Sequence, residues 1–341
     1  MNVKVDDIGS FPLPSDVRRD YFEKAYELAR EFIIGGKDIR ANEFLFKNFY
    51  NVIINSFKMK IKAGLDVANY PQHYDMYKQF LNAIHKAMDR GTYIVEEKMA
   101  IIPEVHVINI KAKEFYDEIG RKIPLRVCIT GPIELYMREI GKIIYRDVLL
   151  MFAETVRNFA RGALLDSKYI KTEVVSIDEP SFGFQEIPAD RDILIEALEK
   201  TFDFNNNVTK QIHLHSPARI ADVLEVRGLD VISIEYASSP KNLEYVSKSM
   251  LEKADKYIRV GTVRTDIDTL MAELYEKDFK KLDYVHLVED KQTIRRRFEK
   301  AREKFGERLT FTGPDCGLGG WPSQEIAQLL LRRAVEAVKM F

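Results

Sequence analysis

The chain has 341 residues, 46% hydrophobic and 31% charged, with a formal net charge of -1. That is a globular composition, long enough for one large barrel or two modest domains, and near-neutral charge gives no basis for a nucleic-acid or anionic-membrane partner. No stretch approaches the roughly 18 apolar residues of a membrane span, MNVKVDDIGSFPLP lacks the apolar region of a signal peptide, and Cys128 and Cys316 are too few for a disulfide framework, so a cytoplasmic location is expected.

In chain order, short β-rich runs end in polar or turn residues, and amphipathic helical patterns follow most of them. The runs are VKVDDIGSF near the start, GLDVANYP (64–71), LRVCITGP (125–132), EVVSIDEP (173–180), KQIHLHSP (210–217), DVISIEYA (230–237), YIRVGTVR (257–264) and RLTFTGPD (308–315). Strand alternating with helix argues for parallel βα units, and eight units argue for a closed barrel over one open doubly wound sheet. Residues 18–62 carry two consecutive helical patterns, more than one crossover requires, and IIPEVHVINI (101–110) reads as an added strand or hairpin. Lys and Arg interleaved with acid (EDKQTIRRRFEKAREKFGER) read as solvated helix faces. With no Ser/Gly/Pro linker, the expectation is one α/β domain over 1–341, a single (β/α)8 TIM barrel with extra N-terminal helices and a small strand or hairpin insertion.

Side chains alternate faces along a strand. Ile212 and Leu214 then oppose His213 and His215; Ile232 and Ile234 oppose Ser233 and Glu235; Val175 and Ile177 oppose Ser176 and Asp178; Leu309 and Phe311 oppose Thr310 and Thr312. The apolar sets should face the helices and the polar sets the barrel axis, near the carboxyl-end rim where barrel enzymes keep their chemistry. His213 and His215 from one strand tip, Glu235 from the next and Cys316 from the last supply imidazole, carboxylate and thiolate, a ligand set suited to Zn2+. Cys128 points inward below the rim and reads as core. His85 and His286 read as surface, and His73 and His106 as structural.

The motifs IGSFPLP (8–14), TGP (130–132), SIDEPSFG (176–183), HLH (213–215), SIEYA (233–237) and GPDCGLGGWPS (313–323) resemble, in order, the C-terminal catalytic barrel of cobalamin-independent methionine synthases, in the short form known from archaea. The resemblance spans essentially the whole chain, and IDEP and PDCGL are its more specific elements. It implies a methyltransferase that forms methionine on the thiol of homocysteine, with zinc held by His213, Glu235 and Cys316. His215 stands where the family usually has a cysteine, and a second imidazole is an acceptable replacement. Asp178 would hold the substrate ammonium, with Ser10 and the backbone around Gly9 near its carboxylate. Tyr70 takes the place of a family glutamate that grips the amine, counting back from Asp75 and Met76, and Asp268 or Asp266 that of a proton-handling histidine. The implied methyl donor is a methyl-corrinoid protein or a methyl-tetrahydropterin or methyltetrahydrofolate. The competing readings are a zinc methyltransferase for another small thiol, a metal-dependent hydrolase and a non-enzymatic barrel. Against the hydrolase, HxH lies on the fifth run, and Cys316 stands where such enzymes place a late aspartate.

Overall fold

A computed structural model describes residues 2–204, 207–276 and 283–339. Each of the eight runs overlaps a strand: β1 (Lys4–Val5), β2 (Ala68–Asn69), β3 (Ile123–Thr130), β4 (Ile170–Asp178), β5 (Thr209–Leu214), β6 (Val231–Glu235), β7 (Tyr257–Val263) and β8 (Leu309–Pro314). Their order in the sheet is β1-β8-β7-β6-β5-β4-β3-β2, and every pair is parallel. A parallel bridge, Asp6 to Val67, joins the margins beside β1 and β2, where the Asp66 N–H donates to the Val5 carbonyl at 2.8 Å. Eight parallel strands in a curled sheet, with helices in the crossovers, make a TIM-like α/β arrangement. No described helix is long and apolar enough to cross a membrane.

The two helical patterns expected before β2 are the helices Arg19–Ile34 and Asn51–Lys62. The strand or hairpin expected at 101–110 is instead the start of a helix, Pro103–Ile119. Pro103 occupies its first turn, Gly120 ends it in the left-handed conformation, and Val105, Ile108, Ala112 and Phe115 are buried at helical spacing. Val and Ile enrichment suggested strand. Burial with a period near 3.6 decided otherwise, because β-propensity reflects packing context more than backbone preference.

The concave face of the sheet is filled in layers. Val67, Val174, Val231 and Phe311 form an apolar cluster separate from the main core, drawn from the even-numbered strands and the residue before β2. This is the interdigitated filling typical of eight-stranded α/β barrels. It corrects the alternation expected for β8. Phe311 packs with Val174 and Val231, which share strand faces with Ser176 and Ser233, so Phe311 points inward rather than toward the helices. In register with those residues, Arg126 of β3, Arg259 of β7 and Asp6, just past β1, form an ionic group. Asp6 accepts from Arg126 Nη1 at 2.6 Å and from Arg259 Nε at 2.8 Å, and none of the three is exposed.

Cys128 is buried as expected. His85 is half-exposed beside Glu139 at 2.9 Å, and His286 is exposed. His73 is buried, its Nδ1 2.9 Å from the Phe11 carbonyl and its Nε2 2.8 Å from Ser56 Oγ, which makes it a structural histidine; His106 lies half-buried in the helix Pro103–Ile119.

Candidate metal centre

Strand alternation and register deliver four side chains to one point at the carboxyl ends of the strands. His213 is the penultimate residue of β5 and His215 follows its end; Glu235 is the last residue of β6; Cys316 lies two residues past β8. One ligand atom from each lies within 4.8 Å of all the others. Glu235 Oε1 is 4.0 Å from His213 Nε2 and 3.5 Å from His215 Nε2, and Cys316 Sγ is 3.6 Å from His215 Nε2. A tetrahedral zinc site with bonds of about 2.1 Å has ligand–ligand edges of about 3.4 Å, so this spacing matches one shared cation more closely than direct hydrogen bonding.

Two further observations fit a cation. His213 Nε2 is buried and has no hydrogen-bond partner among the described residues, while its Nδ1 lies 3.1 Å from Ser233 Oγ. Ligand histidines are typically anchored in this way, with one ring nitrogen held from behind and the other presented. The electrostatics point the same way. Burial, then the neighbouring His215, holds His213 well below the usual imidazole range, and burial lowers His215 too. Burial, then the charge of Asp315, pushes Glu235 up to about 8, and burial with Glu235 raises the Cys316 thiol. Neutral imidazoles are ready ligands, and a divalent ion stabilises the carboxylate and thiolate that burial disfavours.

The cluster opens on a cavity of about 630 Å³ whose wall includes Gly9, Ser10, Gln72, Asp178, His213, His215 and Cys316. Asp178 ends β4 in register with His213 and accepts the Ser176 hydroxyl at 2.8 Å. Burial, partly offset by Arg126, raises its carboxyl to about 6. The next residue explains why the TGP and IDEP motifs occur together. Glu179 receives the Ile133 and Glu134 N–H groups at 2.9 and 2.8 Å, satisfying the start of the helix Pro132–Glu139. A Cβ on Gly131 would lie 2.2 Å from Glu179 Cδ, so that turn accepts only glycine.

Four expected residues stand elsewhere or make other contacts. Tyr70 is fully buried behind the wall, and its hydroxyl donates to the Cys128 carbonyl at 2.7 Å. Gln72 lines the cavity instead, in a turn with φ 48, and the Glu104 carboxylate accepts the N–H of the next residue, His73, at 3.1 Å. Asp268 is exposed in the first turn of the helix Ile267–Glu276, away from the cavity wall, and Asp266 is paired with Arg264 at 2.7 Å. Gly9 lies on the wall, but its N–H donates to Cys128 Sγ at 3.4 Å and its carbonyl accepts from Asn69 Nδ2 at 2.9 Å, so its polar groups serve the fold.

Fold and cluster together define an eight-stranded parallel α/β protein with a candidate centre of two histidines, one glutamate and one cysteine at the carboxyl ends of its strands. Its fold is similar to that of the B12-independent methionine synthase from Shewanella sp. W3-18-1, solved in complex with selenomethionine, with a TM-score of 0.59 over 100% of this chain and 98% of that one at 14% identity. No protein-family model and no curated protein sequence matches the chain.

Proposed function

We propose that this chain is a zinc-dependent thiol methyltransferase, a single closed (β/α)8 barrel that forms methionine from homocysteine. The observation that carries the reading is the convergence of His213, His215, Glu235 and Cys316, from three strand ends, on one point open to a cavity. These four side chains would hold zinc, which when bound would supply a Lewis acid that lowers the pKa of a substrate thiol, so that it loses its proton to solvent near neutral pH and its sulfur stays at the cavity. The fold neighbour's complex with selenomethionine supports an amino acid of that size as ligand.

The chain's own residues then orient the amino-acid end. Asp178, on the cavity wall beside His213, takes the ammonium, whose charge favours the ionised carboxylate that burial opposes. The Ser10 oxygen accepts the Gly319 N–H at 3.1 Å on the cavity wall, and its hydroxyl proton would be available to the substrate carboxylate. Gln72 adds an uncharged amide where a second carboxylate would bind the ammonium more tightly, so recognition of the amine rests on Asp178. A methyl-corrinoid protein or a methyl-tetrahydropterin or methyltetrahydrofolate is the donor. Arg19, Tyr74 and Tyr77 also line the cavity and would be available to meet it.

The test combines metal analysis of the purified protein with methionine formation from homocysteine, with methylcobalamin and methyltetrahydrofolate supplied in parallel. Stoichiometric zinc and turnover with one donor are expected. Bound zinc with no turnover on either donor would transfer the reading to another thiol, and absence of zinc would end it.

A further inference from the structure

Glu235 and Cys316 approach the same point from β6 and β8, although β7 lies between those strands and contributes no ligand. A carboxylate next to Cys316 spans that gap. Asp315 is 1% exposed, and its Oδ1 accepts the Tyr236 and Ala237 N–H groups, both at 3.0 Å. Its Oδ2 accepts the Ser238 N–H at 2.7 Å and the Ser238 hydroxyl at 2.8 Å. The side chain therefore takes up the first three residues after Glu235, while its own main chain precedes Cys316. Its N–H donates to the Val263 carbonyl at 2.9 Å, which ties the same residue to β7.

The crossing depends on a missing side chain. Gly261 of β7 pairs in register with Glu235 on one side and with Gly313 on the other. A Cβ there would lie 2.2 Å from Asp315 Oδ1 and 2.7 Å from Asp315 Cα. A glycine within a strand often marks close approach by another group, and here the group is the carboxylate passing over β7. Segments beyond strand ends are the mobile part of such folds, whereas a metal centre requires its ligand distances to hold within about 0.2 Å.

We propose that Asp315 is a positioning residue, a staple across Gly261 that fixes the separation of Glu235 and Cys316 and thereby sets the affinity and geometry of the metal centre. The inference rests on the zinc reading above. Asp315 touches neither substrate nor metal; it acts through the two ligands that it brackets.

The test uses cobalt(II) in the metal-free full chain. Affinity is measured by competition with a chromophoric chelator, and the thiolate-to-cobalt charge-transfer band reports whether Cys316 still coordinates, which a purely structural role would leave in place. Asp315→Asn presents an amide donor to N–H groups and should weaken cobalt binding roughly 10- to 100-fold, the usual effect of losing an outer-shell partner, with the band reduced. Ser238→Ala removes one of the four bonds at a part-buried hydroxyl; it keeps the fold and should move both readouts in the same direction by less. Wild-type affinity and an unaltered band in Ser238→Ala and in folded Asp315→Asn overturn the proposal, and if Asp315→Asn does not fold, Ser238→Ala decides alone. Wild-type protein that takes up no cobalt removes the zinc reading and this proposal with it, whereas wild-type uptake with unaffected variants removes this proposal only.

Discussion

Two clusters of ionisable groups lie inside the curled sheet, one drawn from the end of β1, β3 and β7 and the other from the ends of β5, β6 and β8, and they are built on opposite principles. In the inner one, Asp6 sits between Arg126 and Arg259 at 2.6 and 2.8 Å, all three without exposure. Opposite charges are in contact, and the cluster brings its own cation. At the rim, two imidazoles, a carboxylate and a thiol face one another, and burial drives each toward its neutral form. Arginine can only donate hydrogen bonds and stays charged, so it suits a permanent internal pair. Histidine, glutamate and cysteine offer lone pairs, which suits a group brought from outside. The contrast marks one cluster as scaffold and supports the other as the candidate site. The two also touch, since Ser233 Oγ lies 3.1 Å from His213 Nδ1 and accepts from Arg259 Nη1 at 3.4 Å.

The largest expected effect comes from breaking the inner cluster. Asp6→Asn leaves two buried guanidinium groups without their shared anion and should cost about 3–5 kcal/mol in stability, measured by denaturant unfolding of the metal-free protein. An unfolding free energy within error of wild type would remove the distinction. The rim responds in the opposite sense. Cys316→Ser should leave metal-free unfolding almost unchanged, yet lower zinc retention by more than the roughly 100-fold upper range of an outer-shell change, with methionine formation lost. Retained zinc and turnover would show that the thiolate is not a ligand.

The link between the clusters gives an intermediate case. Ser233→Ala removes the group behind His213 and should weaken metal binding roughly 10-fold, the low end for an outer-shell partner, read by chelator competition. A destabilised fold with unchanged affinity would assign Ser233 to the scaffold instead. A buried acid outside either cluster gives a control through its pH dependence. Burial pushes Glu104 up to about 8 from an ordinary value near 4.5. The folded chain then holds a proton that the unfolded chain releases, so this group costs stability progressively as pH rises from about 4.5 to about 8. Glu104→Gln lacks that dependence, and the stability difference between variant and wild type should shift in favour of the variant across that window. A difference that stays constant with pH would mean that Glu104 is ionised throughout.

The sequence alone determined the number and order of the strands, because period-two alternation and amphipathic helices are local consequences of burying one face of each element. It also placed His213, His215 and Glu235 at strand ends, where alternation sets the direction of a side chain once the strand is recognised, and it singled out Cys316 through its motif. What it misread depended on contacts distant in the chain. The 101–110 segment is rich in Val and Ile but packs as a helix; Phe311 faces inward because Val67, Val174 and Val231 leave it that space. Tyr70 is buried while Gln72, at a left-handed φ of 48, lines the cavity, a choice that no local pattern encodes, and Asp268 turns outward with the helix that carries it. The staple was the least legible feature. Asp315 and Gly261 are 54 residues apart, and only the folding of β7 between β6 and β8 gives a missing methyl group on one strand meaning for a carboxylate beyond another.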